Sequence, residues 1–225
     1  MHGSTRRANI ERVRAFVIVV ALCSVAQAKP HARKRIATHK QRAEQPWHGR
    51  LVHPSQFTDG EGYFIRRPWR TYGTKHTVEI TQAVIAAQVA EFSDRHVLAI
   101  GDFSEQHGGK ITEHASHQTG HDVDIGLYYN EKPRNYPEAF VSATEDNLDC
   151  EATWALIDRF VKTGDTQVIF LDYNVQGILY RWAKENGVSE EHLERVLQYP
   201  HGRGSGEGLV RHWPNHDNHI HVRFR

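Results

Sequence analysis

The sequence is poor in cysteine, with only Cys23 and Cys150 among its 225 residues. Two cysteines cannot build a disulfide framework, and no Cys-x-x-Cys motif is present. If Cys23 is removed with an export signal, Cys150 is a lone thiol. We interpret Cys150 as a small buried residue, and the alternative is a cross-link between two chains in an oxidising compartment.

Net charge and long apolar runs are also scarce. The formal net charge is +1 at pH 7 with histidine neutral, which argues against a nucleic-acid-binding protein. The apolar stretch from Ala15 to Val25 is too short to span a bilayer, which takes about 20 apolar residues. We therefore predict a protein that binds no nucleic acid and does not span a membrane, while its oligomeric state stays open.

The chain divides into three parts. Residues 1–28 have a basic start, an apolar middle and the small-x-small sequence Ala26-Gln-Ala28, which predicts a secretory signal and a periplasmic protein. Residues 29–50 are basic and have few apolar positions, so we predict a flexible arm. Residues 51–225 are long enough to form one globular domain with a real core.

Within the domain, helical and strand patterns alternate irregularly. Apolar residues at helical spacing predict a helix over Thr77–Phe92. Asp149 and Ser189 are predicted helix caps, and short apolar runs predict strands at Val97–Ile100 and Val168–Leu171. We expect an α+β fold with a central antiparallel sheet that carries a metal site and has helices packed around it.

Histidine, by contrast, is abundant, with 17 residues. One cluster reads His114-Ala-Ser116-His117-Gln-Thr-Gly120-His121-Asp122-Val-Asp124. From Asp122 onward polar and apolar residues alternate as in a strand, so Asp122 and Asp124 are expected on one face. A histidine on the incoming turn and an aspartate on this strand can meet at one cation.

A second cluster lies near the other end of the sequence. His216-Asp-Asn-His219-Ile-His221-Val-Arg223 is also an alternating run, and it places His219, His221 and Arg223 on one face. Two histidines and one carboxylate, with one position open for water, form a typical catalytic zinc site. Such ligands suit Zn²⁺, copper or nickel better than calcium or magnesium.

These residues resemble the penicillin-insensitive murein endopeptidases, which are zinc peptidases related to D-Ala-D-Ala carboxypeptidases, dipeptidases and the hedgehog domain. The resemblance rests on the Gly101-Asp-Phe-Ser104 sequence and on both histidine clusters. It implies that zinc is bound by His117, Asp124 and His221. It also implies that His219 is the catalytic base, with His114 and His216 in the same pocket.

Several roles stay open at this point. His114 either completes the metal shell or stabilises the oxyanion. Asp122 is a candidate for orienting a ligand histidine, and Ser116 is a candidate for substrate contact. The implied reaction is hydrolysis of the D-alanyl–meso-diaminopimelyl cross-link of peptidoglycan. The alternatives are a carboxypeptidase or dipeptidase of the same group, and a non-catalytic protein that binds zinc or the cell wall.

Overall fold

The computed structural model describes residues 48–225. The predicted signal segment 1–28 lies outside the described residues, and so does the predicted arm apart from residues 48–50. Arg50, at the end of that arm, forms an antiparallel bridge with Gly108. No helix in this part of the chain is long and apolar enough to cross a membrane.

Four α-helices form in the described residues, and a side chain caps the start of each. They are α1 (Lys75–Glu91), α2 (Cys150–Lys162), α3 (Tyr173–Glu185) and α4 (Glu190–Val196). The side chains of Thr74, Asp149, Asp172 and Ser189 each accept a hydrogen bond from a backbone N–H of the first turn. Such caps satisfy N–H groups that have no partner within the helix. The predicted caps at Asp149 and Ser189 are confirmed.

The strands form one six-stranded sheet and one two-stranded sheet. In chain order they are β1 (Ser55–Gln56), β2 (Tyr63–Ile65), β3 (Tyr72–Gly73), β4 (Leu98–Ile100), β5 (Asp122–Gly126), β6 (Thr166–Phe170), β7 (Val210–Arg211) and β8 (His219–Phe224). Strands β1 and β3 pair with each other, and the large sheet has the order β2-β4-β5-β8-β6-β7. The latest strand in the chain, β8, therefore occupies the middle of the sheet.

The α+β prediction is confirmed, but the prediction of an antiparallel sheet is wrong at both edges. The four central strands pair antiparallel, whereas β2 pairs with β4 and β6 pairs with β7 in parallel. Parallel neighbours need a long crossover connection, usually a helix. Helix α1 lies in the connection from β2 to β4, and α3 and α4 lie in the one from β6 to β7. These helices allow the parallel edges.

The register of β5 and β8 places the polar residues of both strands on one face. Alternate residues of a strand lie on the same face, so every second cross-strand pair lies on the same side of the sheet. The polar face carries Asp122 opposite Arg223, Asp124 opposite His221 and Gly126 opposite His219. The intervening pairs are Val123–Val222 and Ile125–Ile220, all four fully buried in the core. The alternation predicted for both runs is confirmed.

Two long connections flank β5 and complete the site. Residues 101–121 join β4 to β5 and contain five residues with positive φ, namely Gly108, Gly109, Glu113, His117 and Gly120. Residues 127–149 join β5 to α2 and form no helix or strand. The second connection has no regular element, yet it buries Tyr129, Tyr136 and Leu148.

Candidate metal and catalytic site

Three electron-pair donors meet on the polar face of β5 and β8. The Nε2 atom of His117 lies 3.2 Å from Oδ1 of Asp124 and 3.2 Å from Nδ1 of His221. The third side of this triangle, from His221 Nδ1 to Asp124 Oδ1, measures 3.3 Å. All three side chains are almost completely buried. The structure thus brings together the three residues predicted as metal ligands.

The backbone around His117 presents Nε2 to this triangle. His117 has a φ of 59°, which turns the side chain inward from the 101–121 connection. Its Nδ1 lies 2.7 Å from the carbonyl oxygen of Phe103. Because a carbonyl oxygen can only accept, Nδ1 carries the ring proton, and Nε2 keeps a free lone pair.

Asp122 orients the His221 ring so that its Nδ1 atom faces the triangle. The Nε2 atom of His221 lies 2.8 Å from Asp122 Oδ1, so it donates its proton there and leaves Nδ1 free. Asp122 Oδ1 also accepts from Arg223 Nε at 2.6 Å, and its Oδ2 accepts from the backbone N–H of His117 at 3.2 Å. Burial alone would raise the pKa of Asp122, but the hydrogen bond from His221 and the neighbouring positive charges lower it further. Asp122 is therefore an ionised carboxylate that touches both ligand histidines.

Asp124 has a buried carboxylate oxygen whose surroundings fit a bound cation. Its Oδ1 is buried and has no hydrogen-bond partner, because both neighbouring rings use their protons elsewhere. With both rings neutral, three lone pairs face one another and repel each other unless a positive charge lies between them, either a metal ion or a proton on His221 Nδ1. Tetrahedral Zn²⁺ with bonds of 2.0–2.1 Å holds its ligand atoms about 3.3 Å apart. The measured triangle matches that spacing, so these residues fit a zinc ion.

His219 borders the triangle as a neutral ring. Its Nε2 lies 3.7 Å from Asp124 Oδ1, and its Nδ1 lies 2.5 Å from the amide oxygen of Asn218. The amide oxygen accepts the Nδ1 proton, so the lone pair on Nε2 faces the metal position. Burial lowers the pKa of His219 to about 3, and this exceeds the opposing effect of Asp124. A neutral ring with this orientation can accept a proton.

His114 takes part in a second possible metal-binding group. His114, His117 and Asp124 also have ligand atoms within 4.8 Å of one another. However, His114 Nε2 lies 3.1 Å from Asp102 Oδ2 and 3.8 Å from Asp124 Oδ2, so it faces two carboxylates. This atom is engaged with Asp102, and the triangle completed by His221 has the better spacing for zinc.

A third group, formed by Asp102, Glu113 and His114, fits a cation poorly. Arg67 lies 2.9 Å from Asp102 and 3.0 Å from Glu113, and Arg70 lies 3.0 Å from Asp102. Two guanidinium groups already balance the two carboxylates. This cluster instead fixes Asp102 beneath His114.

Beside the triangle lies a cleft of about 450 Å³, which His221 and His219 line. One wall is formed by residues 113–116, which include His114 and Ser116, and the other by residues 213–216, which end at His216. Phe170 lies between them, with its ring 5.4 Å from that of Trp213 and 5.4 Å from that of His221. Trp213 is 55% exposed, so the cleft has an aromatic side accessible to a large ligand.

His216 packs beside the predicted base. Its ring centroid lies 4.7 Å from that of His219, and its Nδ1 bonds the carbonyl oxygen of Pro214 at 2.8 Å. Burial lowers its pKa. Ser116 and His216 therefore line the cleft, as predicted for residues near the substrate, although their roles stay predictions.

Sequence reasoning missed four residues that shape the site: Asp102, Phe140, Phe170 and Asn218. Asp102 stands in the Gly101–Ser104 sequence, and Asn218 precedes His219, so both were next to recognised residues. Phe170 lies in the predicted strand Val168–Leu171, and its residue type gave no sign of a role in the site. Phe140 lies in the 127–149 connection, and no periodic pattern marks it.

Comparison with known proteins supports the resemblance. Residues 55–161 match the family model described as penicillin-insensitive murein endopeptidase. No curated protein matches the sequence. The match includes His114, His117, Asp122 and Asp124 but ends before β8. The resemblance inferred from the sequence is thereby confirmed, together with the expectation of an enzyme.

Proposed function

We propose that this chain, whose residues 55–161 match the penicillin-insensitive murein endopeptidase family, is an exported zinc endopeptidase. Its proposed substrate is the D-alanyl–meso-diaminopimelyl cross-link of peptidoglycan. The observation that carries the proposal is the buried triangle of His117 Nε2, Asp124 Oδ1 and His221 Nδ1. The triangle joins two residues within the matched segment to one that lies outside it.

In this proposal His117, Asp124 and His221 hold the zinc ion. When bound, zinc lowers the pKa of a water molecule and polarises the scissile carbonyl group. Asp122 keeps His221 in the tautomer that leaves Nδ1 free, as carboxylates do for many ligand histidines. Phe103 does the same for His117 through its carbonyl oxygen.

His219 is the proposed general base. Its Nε2 has a free lone pair directed at the metal position, and its low pKa keeps it neutral before reaction. It would take a proton from the attacking water and return one to the leaving amine. Asn218 holds the proton on Nδ1 during both steps.

His114 is proposed to act on the substrate side. Its Nε2 is hydrogen-bonded to Asp102, which Arg67 and Arg70 hold in turn. The ring is half-buried and lines the cleft beside the metal position. This geometry favours stabilisation of the oxyanion over a fourth ligand bond.

Export completes the proposal. Peptidoglycan lies outside the cytoplasm, and residues 1–28 have the sequence pattern of a secretory signal. We therefore expect the mature protein in the periplasm, beginning after Ala28. Sequencing the N-terminus of the exported protein tests this location, and a retained residue 1 would contradict it.

The first experiment is digestion of purified, cross-linked muropeptides, with and without a chelator, followed by mass spectrometry. Chelator-sensitive conversion of dimers to monomers would support the endopeptidase. Loss of a terminal D-alanine would support the related carboxypeptidase instead. Stoichiometric zinc without cleavage would identify a zinc-binding protein that lacks catalysis.

The second experiment tests the base. His219→Ala is expected to keep its zinc and lose about 10²- to 10⁴-fold in kcat, since that is the usual contribution of a general base. His107→Ala is the matched control, because His107 is exposed and does not line the cleft. Normal turnover of His219→Ala with unchanged zinc would remove His219 from the mechanism.

A further inference from the structure

Phe140 lies next to the proposed base although it comes from the distant 127–149 connection. Its ring stacks on that of His219 with centroids 4.7 Å apart and an interplanar angle of 11°. The guanidinium group of Arg66 also packs on the Phe140 ring, with Cζ 4.1 Å from the centroid. A cation on an aromatic face is attracted by the ring quadrupole, so Arg66 helps to hold Phe140.

Three hydrogen bonds hold the backbone around Phe140, two of them to other segments and one to Tyr129 at the start of the same connection. Arg66 Nε donates to the carbonyl oxygen of Glu138 at 3.1 Å, and the Tyr129 hydroxyl donates to that of Val141. The N–H of Ala143 donates to the carbonyl oxygen of Asp217 at 2.7 Å. The last bond joins this connection to the segment that leads into His219. The position of Phe140 is therefore set independently of its contact with His219.

Gly101 leaves the space that the ring needs. A Cβ atom at Gly101 would lie 2.8 Å from Phe140 Cζ and 2.9 Å from Asp124 Cβ. Both distances are shorter than real contacts, so any larger residue would push the ring or the aspartate away. The edge of the Phe140 ring thus lies close to Cβ of Asp124, a proposed metal ligand. Its face covers the ring of His219, the proposed general base.

We propose that Phe140 is a positioning residue that fixes the plane of the His219 ring. This inference rests on the proposed function of His219. The hydrogen bond from Nδ1 to Asn218 holds one edge of the imidazole, but it permits the ring to tilt. A flat face in parallel contact removes that freedom and keeps Nε2 directed at the metal position. A misplacement of about 1 Å can cost roughly 100-fold in rate.

Phe140→Leu in the full chain tests the inference, because leucine keeps an apolar side chain but has no flat face. We expect kcat on muropeptide dimers to fall by about 10- to 100-fold, with KM and zinc content unchanged. Phe64→Leu is the matched control, since Phe64 is a partly exposed phenylalanine on β2 that does not line the cleft. An unchanged kcat for Phe140→Leu would overturn the inference.

A second measurement does not depend on activity. In zinc-loaded protein labelled with ¹⁵N-histidine, the His219 ring protons are expected upfield because of the Phe140 ring current. His219→Ala identifies these signals by their disappearance. In Phe140→Leu they should move downfield, and unchanged shifts would overturn the stacking. If the unmodified protein cleaves no muropeptide, the proposed function fails, whereas the spectra still decide the position of the ring.

Discussion

The proposed metal site has two sides that are built in different ways. The loop side, residues 101–121, supplies His117 from a connection that has several residues with positive φ. The strand side, β8, supplies His221 from the middle of a regular sheet, with strands paired on both of its edges. Regular strand pairing places His221 opposite Asp124, and Asp122 then orients its ring, whereas the placement of His117 depends on particular turns. The two sides should therefore respond differently to substitutions of the backbone and similarly to loss of a ligand.

The largest expected effect is the loss of zinc affinity when a ligand is removed, and it should be similar on both sides. His117→Ala and His221→Ala should each lower zinc affinity by more than about 100-fold, because even an indirect partner of a ligand is worth 10- to 100-fold. Asp124→Ala should do the same. Zinc content after dialysis is the measurement, with His107→Ala as the control. Stoichiometric zinc in any one of the three variants would show that its residue is not a ligand.

The next prediction removes the residue that joins the two sides. Asp122 accepts from the backbone of His117 on the loop side and from His221 and Arg223 on the strand side. Asp122→Ala removes the buried carboxylate that pairs with Arg223 and His221, and breaking such a buried pair typically costs about 3–5 kcal/mol in free energy of unfolding. Denaturant unfolding of the zinc-free protein measures this loss.

Asp94→Ala is the control for that variant. Asp94 is exposed and pairs with Arg95 at the surface, where an ion pair contributes about 1 kcal/mol or less. Equal stabilities of the two variants would mean that Asp122 does not join the two sides.

A third prediction strains the loop side alone. Gly120 has a φ of 74°, and a Cβ there would lie 2.8 Å from Gly73 Cα and 2.8 Å from Thr74 N. Gly120→Ala should therefore lower the free energy of unfolding, by about 1–2 kcal/mol for the left-handed conformation and by about 1–3 kcal/mol for the steric clash. Thermal unfolding should show a loss of roughly 2–4 °C per kcal/mol.

Gly109→Ala separates these two costs. Gly109 has a φ of 88° but no atom within 4 Å of its would-be Cβ, so only the conformational cost applies. We expect its melting temperature to fall less than that of Gly120→Ala. A larger fall for Gly109→Ala would contradict the contact of Gly120 with Gly73.

The smallest effect concerns a proton on the strand side. Burial lowers the pKa of metal-free His221, but the hydrogen bonds and charges of Asp122 and Asp124 raise it overall to about 9. Zinc must displace this proton, because a metal ligand must be deprotonated. Apparent zinc affinity should therefore rise about tenfold per pH unit up to about pH 9 and then level off.

Competition with a buffered chelator between pH 7 and 10 measures that slope, because this interval spans the His221 pKa of about 9. Asp122→Asn is the matched variant, since a neutral amide no longer stabilises the protonated ring. Its affinity should level off at a lower pH. A slope near zero below pH 9 in the unmodified protein would contradict a protonated metal-free His221.

The two sides of the site also differ in how well the sequence predicts their structure. Alternation in Asp122–Asp124 and His219–Arg223 predicted the shared polar face, because a strand repeats every second residue whatever lies around it. The composition of the loop side indicated ligands, but their placement depends on the φ of His117 and on contacts such as that between Gly120 and Gly73. Such turns follow from tertiary packing rather than from periodicity.

Two features lay beyond the sequence for a related reason. The parallel edges of the sheet depend on how α1 and α3 cross over it, and short strands such as β2 and β7 carry little pattern. Phe140 lies in an irregular connection and meets His219 because hydrogen bonds hold Glu138, Val141 and Ala143 around it. Long-range contacts of this kind leave no local signal.

The central position of β8 also determines when the sheet can be completed during folding. Strand β8 follows every other described element in the chain, yet it lies between β5 and β6 in the sheet. Until it docks, Asp124 lacks its cross-strand partner His221, and the two halves of the sheet are not joined. We therefore expect hydrolytic competence to appear late, after synthesis and folding of the described domain are nearly complete. A partly folded chain would lack the complete proposed metal site.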